Sequence, residues 1–251
     1  MKTKMADATD RLRDRPGAWV DLGLTLPIFL FYQLGVVFLG VQNATDLVTG
    51  TLLSLSHGDK TTYLLATFAI GIVFAGVFAI LGRGQAFRPR KFVQIGLEGI
   101  LYAVIMRVGA SYVVGRLFAG PPSIKDAGPF TGFVMSLGAG FYEELAFRVI
   151  LFGLGAKVLV SLLAKEGMVL TAPGASRFSM RAFIIVVTWA LACALVFSGV
   201  HYVGDMSDKF NLASFTFRFV LGLVLTLIYV SRGFAAAVWT HAVYDVWVLV
   251  F

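Results

Sequence analysis

The sequence predicts an all-α fold, a polytopic transmembrane helix bundle of about seven spans. Of its 251 residues, 58% are hydrophobic and 14% are charged, whereas soluble domains carry about 25% charged residues. The apolar residues, with 23 Phe among them, gather in runs about as long as a helix needs to cross a bilayer. No series of ten-residue segments alternates apolar and polar residues, so the pattern of a transmembrane β-barrel is absent.

The first half of the chain predicts three spans after a charged tail. Residues 1–17 are polar and basic, and the apolar run 18–41 is too long for the core of a signal peptide, so we expect it to be retained as a span. A short amphipathic piece follows at 47–55, in a polar connection. The run 61–82 matches a hydrocarbon layer of about 30 Å at about 1.5 Å per residue. The run 92–118 is the third predicted span.

The second half predicts four more spans. Prolines and glycines between 118 and 132 mark a loop. The run 132–163 is longer than one crossing needs, which predicts one span with a break near Gly153 or Gly155. The remaining predicted spans are the apolar runs 182–203, 212–230 and 234–251.

The whole chain, 1–251, is predicted to form a single integral-membrane domain, because no repeat, low-complexity tract or linker divides it. Lys plus Arg in the successive non-membrane stretches count 5, 1, 4, 1, 3, 1 and 1. Because the high counts alternate, the N-terminal tail 1–17 is predicted to be cytoplasmic. The short termini and the lack of an organelle signal favour a bacterial inner membrane. This topology also explains the net charge of +7, so we expect no nucleic-acid partner.

Two carboxylates and a guanidinium interrupt the fourth apolar run. Each ionisable group at membrane depth costs at least ~2.5 kcal/mol, so such groups usually have partners and often a function. On an α-helix Glu144 and Arg148 share a face and can pair, while Glu143 points about 100° away. Glu143 is then available as a general base acting on water. Alternatively, all three residues form a structural ion cluster that ties spans together, and this stretch alone leaves both interpretations open.

Two of the three histidines of the chain lie in apolar runs. Phe197 and His201 are four residues apart and face the same side of one helix, as do His241 and Asp245 of another. A carboxylate at Asp245 can bond one imidazole nitrogen and fix the tautomer that the other nitrogen presents. A single histidine on an apolar helix is more often a satisfied core residue. Two of them beside an embedded glutamate pair predict instead that the three stretches meet inside the bundle.

The order of these motifs resembles that of a known family. The pattern E-E-x-x-x-R, then F-x-x-x-H, then H-x-x-x-N or D is similar to that of the CAAX protease and bacteriocin-processing (CPBP, Abi) family of intramembrane endopeptidases, which includes type II CAAX prenyl proteases. The resemblance covers about 131–251, which we take as the motif-bearing catalytic core. The N-terminal half resembles the family only in being hydrophobic.

The resemblance implies an endopeptidase that cleaves near the C-terminus or in the membrane-proximal part of a membrane protein or lipidated peptide within the lipid bilayer. Glu143 with His201 would activate the attacking water. His241 and Asp245 would stabilise the oxyanion or hold the substrate. The residues that would support these four are Glu144, Arg148 and Phe197.

The family's metal dependence is unsettled, so the resemblance implies no certain cofactor. With zinc, Glu143, His201 and His241 would supply three ligands and leave a position open for water. Without a metal, the mechanism would rest on the glutamate. There is no H-E-x-x-H helix, so zincin chemistry is not indicated. Asp245 stands where many members have Asn, and an ionised Asp would repel an oxyanion. Asp245 must therefore be protonated, orient His241 or bind a metal.

Two other functions remain open at the level of sequence. A catalytically idle relative would bind a partner protease or act as an immunity protein, although the complete motifs argue against this. A proton-coupled transporter would also use embedded Glu and His residues, but the chain shows no inverted repeat. The identities of the substrate and of any partner protein are not encoded in a recognisable pattern.

Overall fold

The computed structural model describes residues 17–40, 42–83, 89–117, 128–167, 179–203 and 208–251. All regular secondary structure within these ranges is helical, which confirms the all-α prediction. The predicted cytoplasmic tail lies outside the described residues, except for Gly17.

The described residues form eight helices. They are α1 (Ala18–Leu39), α2 (Leu47–Leu55), α3 (Lys60–Leu81), α4 (Pro89–Leu117), α5 (Pro129–Ala164), α6 (Met180–Val200), α7 (Leu212–Arg232) and α8 (Phe234–Leu249).

Six of these helices are long and apolar enough to cross a membrane, namely α1, α3, α4, α5, α6 and α7. The seventh predicted span is the shorter apolar helix α8, whose 16 residues extend about 24 Å. The protein is thus a multi-pass membrane protein, in rough agreement with the predicted seven spans. The amphipathic piece at Leu47–Leu55 is the short helix α2, which Asp46 caps by accepting from the backbone N–H of Thr49.

One prediction about helix α5 is wrong. The break expected near Gly153 or Gly155 is absent from the described chain, which stays helical from Pro129 to Ala164. What changes is the winding, which is α over Pro129–Gly138, π over Ala139–Leu154, α over Gly155–Leu159 and π again over Val160–Ala164. A Cβ on Gly155 would lie 2.6 Å from Nε1 of Trp189, so this glycine serves close packing rather than a break.

Helix α8 lies at the centre of the bundle, in contact with α1, α4, α5 and α7. Its residues from Ala235 to Val238 are fully buried. Three glycines of neighbouring helices let the backbones approach it closely. A Cβ added to Gly99, Gly132 or Gly140 would come within 2.7 Å of an α8 atom. A helix that is apolar on all sides and contacted through small residues is typical of a membrane bundle core.

Both ends of the α7–α8 connection are anchored. Only Gly233 separates the two helices, and its φ of 96° is in the left-handed region that favours glycine. Beside it, Arg232 binds Glu98 of α4 in a bidentate ion pair with N–O distances of 2.7 and 2.8 Å. The backbone N–H of Ala235 donates to Oδ1 of Asp21 at 2.8 Å. These contacts fix where α8 begins, and therefore the depth of His241 two turns later.

Candidate active site

The three motif segments meet inside the bundle. The π-helical part of α5 carries Glu143 and Glu144, His201 directly follows the last residue of α6, and His241 lies on α8. Oε2 of Glu143 is 4.0 Å from Nε2 of His201 and 4.0 Å from Nε2 of His241. π-helical turns are uncommon and often occur at functional sites.

Glu144 contacts two basic side chains of the site. Its Oε1 is 2.8 Å from Nη1 of Arg148 and 2.7 Å from Nδ1 of His241. Glu144 is fully buried, and Arg148 is only 1% exposed. The guanidinium also lies over the ring of Phe197, with Cζ 4.2 Å from the centroid. The predicted Glu144–Arg148 pair is therefore present, and it extends to α6 and α8.

His201 presents one nitrogen to Glu143. Its Nδ1 is 2.9 Å from the carbonyl oxygen of Phe197, which can only accept, so Nδ1 carries the proton. In the neutral imidazole Nε2 is then an acceptor, and this is the nitrogen that faces Glu143. The Phe197 ring packs against both site histidines, with centroid distances of 5.3 Å to His201 and 6.1 Å to His241.

Asp245 lies beside His241, as the spacing of four residues predicts. Its Oδ2 is 3.5 Å from Nε2 of His241, which is the nitrogen that faces Glu143. The shorter contact, 2.7 Å to Nδ1, comes from Glu144 of α5, so two carboxylates adjoin this ring.

Sequence reasoning missed one residue of the site. Asn43, in the connection between α1 and α2, is 7% exposed and donates from Nδ2 to Oε1 of Glu143 at 2.8 Å. It is a single polar residue in a polar connection, so no periodicity or motif marks it.

The distances between Glu143 and the two histidines determine whether the three side chains can share a metal ion. Within the described ranges, no group of three or more His, Cys, Asp or Glu side chains could hold a metal ion. The 4.0 Å separations between Glu143 and the two histidines exceed the roughly 3.3 Å that tetrahedral bonds of about 2.0–2.1 Å would require. The zinc ligand set predicted from Glu143, His201 and His241 does not fit these separations.

The same spacing suits one small hydrogen-bonding molecule. Two atoms 4.0 Å apart can both bond one oxygen at about 2.8 Å, with an angle of roughly 90° at that oxygen. Oε2 of Glu143 is buried and has no hydrogen-bond partner among the described residues. The carboxylate and His201 Nε2 are both acceptors, so a water between them would donate one hydrogen to each.

Comparison with known proteins finds a matching family. A family model described as type II CAAX prenyl endopeptidase, Rce1-like, matches residues 126–247. This segment contains Glu143, His201, His241 and Asp245, and excludes Asn43. Neither the search of curated proteins nor that of solved structures returned a match. The segment 126–247, which carries the site, is therefore similar to the Rce1-like family of type II CAAX prenyl endopeptidases.

Proposed function

We propose that this protein is an intramembrane endopeptidase in which Glu143 and His201 activate water to cleave a prenylated, membrane-associated protein. The observation that carries the proposal is the position of Oε2 of Glu143, 4.0 Å from Nε2 of both histidines. The family match of the same segment supports the reaction class.

Glu143 acts as the general base. Water bound between its Oε2 and Nε2 of His201 gives one proton to the carboxylate as its oxygen attacks the scissile carbonyl. Nε2 of His201 accepts a hydrogen bond from the other hydrogen of this water. This contact turns a lone pair of the water oxygen towards the substrate. A tetrahedral intermediate forms, with negative charge on the former carbonyl oxygen.

His241 stabilises that charge. Its Nδ1–H donates to Glu144, and its Nε2–H, present in the imidazolium, is the donor to the oxyanion. The carboxylates of Glu143 and Glu144, each within 4.0 Å of an imidazole nitrogen, offset the positive charge of the ring. Asp245 assists only when protonated, because an ionised carboxylate repels an oxyanion.

Collapse of the intermediate completes the reaction. The C–N bond breaks, the carbonyl re-forms as part of a new carboxylic acid, and Glu143 returns its proton to the leaving amine. The acid then gives its proton to the amine, so the products are a carboxylate and an ammonium group. Glu144, Arg148 and Phe197 touch no reacting atom in this scheme. They keep the ring of His241 in place through the 2.7 Å contact and the packing around the guanidinium.

The substrate class follows from the family description, which names a prenyl endopeptidase. The test uses purified protein with a peptide that ends in a farnesylated cysteine and three further residues. Mass spectrometry of the products identifies the cleaved bond. Wild type is expected to release the C-terminal tripeptide, and His201→Ala and His241→Ala should cut it at least ~100-fold more slowly. Wild-type rates in both variants would refute the proposed chemistry.

We also propose that the N-terminus is cytoplasmic, because the alternation of basic connections supports this orientation. Single cysteines placed in the connections of a Cys193→Ser background report the topology by labelling with a membrane-impermeant maleimide. Labelling of the 42–59 connection from the outside supports the proposal. Labelling of the 82–88 connection from the outside would instead refute it, because the N-terminus would then lie outside.

A further inference from the structure

The candidate base is held by a residue that none of the motifs includes. Asn43 lies 100 residues before Glu143 and outside the segment that matches the family. Its Nδ2 donates to Oε1 of Glu143 at 2.8 Å. Both residues are buried, at 7% and 8% exposure, so water competes little for this hydrogen bond.

The orientation of the Asn43 amide follows from its other contacts. Its Oδ1 accepts from the backbone N–H of Thr45 at 2.9 Å and from Oγ1 of Thr45 at 2.6 Å, as in a side-chain turn of the Asx type. Because the carbonyl end is occupied by two donors, the NH2 end must face Glu143. The reversed amide would place an oxygen against the carboxylate.

The backbone around Asn43 is fixed as well. The N–H of Asn43 donates to the hydroxyl of Tyr32 at 2.9 Å, and that hydroxyl donates to Oδ2 of Asp46 at 2.8 Å. The other oxygen of Asp46 caps α2 through Thr49. Tyr32 is fully buried. The donor is therefore preorganised by residues of α1 and of the start of α2.

The two glutamates of the motif are held in different ways. Arg148 pairs with Glu144 and compensates its charge. Asn43 binds Glu143 as a neutral donor, so the carboxylate is oriented and keeps its negative charge. With Oε1 engaged by Asn43, Oε2 is the oxygen directed at the two histidines.

We propose that Asn43 is the positioning residue for Glu143: its amide holds Oε1 and so aims Oε2 at the water that His201 shares. This inference rests on the proposed function. It assigns to the N-terminal half of the bundle a part in the reaction. Asn43 contacts the base and not the substrate, so its loss affects turnover rather than substrate binding.

The decisive variant is Asn43→Asp. It keeps the acceptor for Thr45, and with it the turn, but replaces the NH2 donor by an oxygen facing Glu143. A matched control is Asn211→Ala, since Asn211 also accepts from the backbone at a helix start, through Ser214 at 3.1 Å, but is exposed. Asn43→Asp and Asn43→Ala are each expected to lower kcat roughly 10- to 100-fold with KM changed less than about twofold. Asn211→Ala should keep the wild-type kcat.

A double-mutant cycle of thermal stability tests the contact between Asn43 and Glu143 without relying on activity. Asn43→Asp should lower the unfolding midpoint in detergent, and Glu143→Gln should restore it, because the Gln amide can donate to the new carboxylate. Absence of this coupling overturns the proposal, as does a wild-type kcat in Asn43→Asp when Glu143→Gln is inactive. A wild-type rate in Glu143→Gln would instead overturn the proposed function itself.

Discussion

Gly140→Ala tests how closely the site depends on the approach of α5 to α8. A Cβ at position 140 would lie 2.7 Å from Cβ of Ala242 and 2.9 Å from both N of Ala242 and O of Val238. Ordinary contacts begin at 3.4 Å, and two of the obstructing atoms belong to the backbone. The two helices must therefore separate by about 0.5 Å, since neither backbone atom can rotate away.

Two terms set the expected loss of stability. Overpacking costs about 1–3 kcal/mol, and the better helix propensity of Ala returns about 1 kcal/mol. The net decrease in the free energy of unfolding is thus about 0–2 kcal/mol. The turnover rate should decrease more than the stability. Ala242 adjoins His241, so moving α5 away from α8 directly lengthens the 2.7 Å contact between His241 and Glu144. A catalytic group displaced by 1 Å can lower the rate about 100-fold. A displacement of half that size therefore predicts roughly a tenfold decrease in kcat.

The assay combines thermal unfolding in detergent with kcat on the farnesylated peptide. Gly96→Ala is the matched control, since nothing lies within 4 Å of a Cβ there, and it should be as stable and active as wild type or slightly more stable. Adding Ala242→Gly to Gly140→Ala removes the closest contact and should restore part of the rate. If Gly140→Ala has both the stability and the kcat of wild type, the argument from close packing is refuted.

Three further predictions address other parts of the molecule. Arg148→Met removes the guanidinium that pairs with the buried Glu144 carboxylate and should lower the free energy of unfolding by about 3–5 kcal/mol. An unchanged unfolding midpoint would count against the buried pair. Cys193 is 3% exposed, so a maleimide should label it slowly in the folded protein and rapidly in denaturant; rapid labelling before unfolding would show that α6 is packed differently. Because the Glu143–histidine spacing does not fit a zinc site, dialysis against a chelator should leave kcat unchanged, and a loss that zinc restores would contradict this.

Much of the fold follows from physical constraints visible in the sequence. A bilayer requires long apolar helices, and the runs 18–41, 61–82 and 212–230 therefore coincide closely with α1, α3 and α7. The short helix at Leu47–Leu55 was also recognisable from its amphipathic pattern. Tertiary packing decided the rest. Glycine is a residue type that often ends a helix, but Gly155 packs against Trp189 within a continuous helix. No pattern of residues predicts the π-helical segment beside it.

The site was predictable where partners lie within one segment. Glu144 and Arg148 are four residues apart, and the pair forms as expected. The same spacing places Asp245 beside Nε2 of His241, but it gives no sign that α5 brings Glu144 to Nδ1 of the same ring. Contacts between helices distant in sequence cannot be derived from spacing. For that reason the role of Asn43 became visible only in the folded chain.

The measurement that tests the central claim most directly is the single-turnover cleavage rate of Glu143→Gln on the farnesylated peptide. Glu166→Gln is the matched control, because Glu166 is also a carboxylate but lies just after the end of α5, outside the candidate site. We predict that Glu143→Gln cleaves about 100- to 10,000-fold more slowly than wild type, as expected for loss of a general base, and that Glu166→Gln retains the wild-type rate. Cleavage by Glu143→Gln at the wild-type rate would contradict the account.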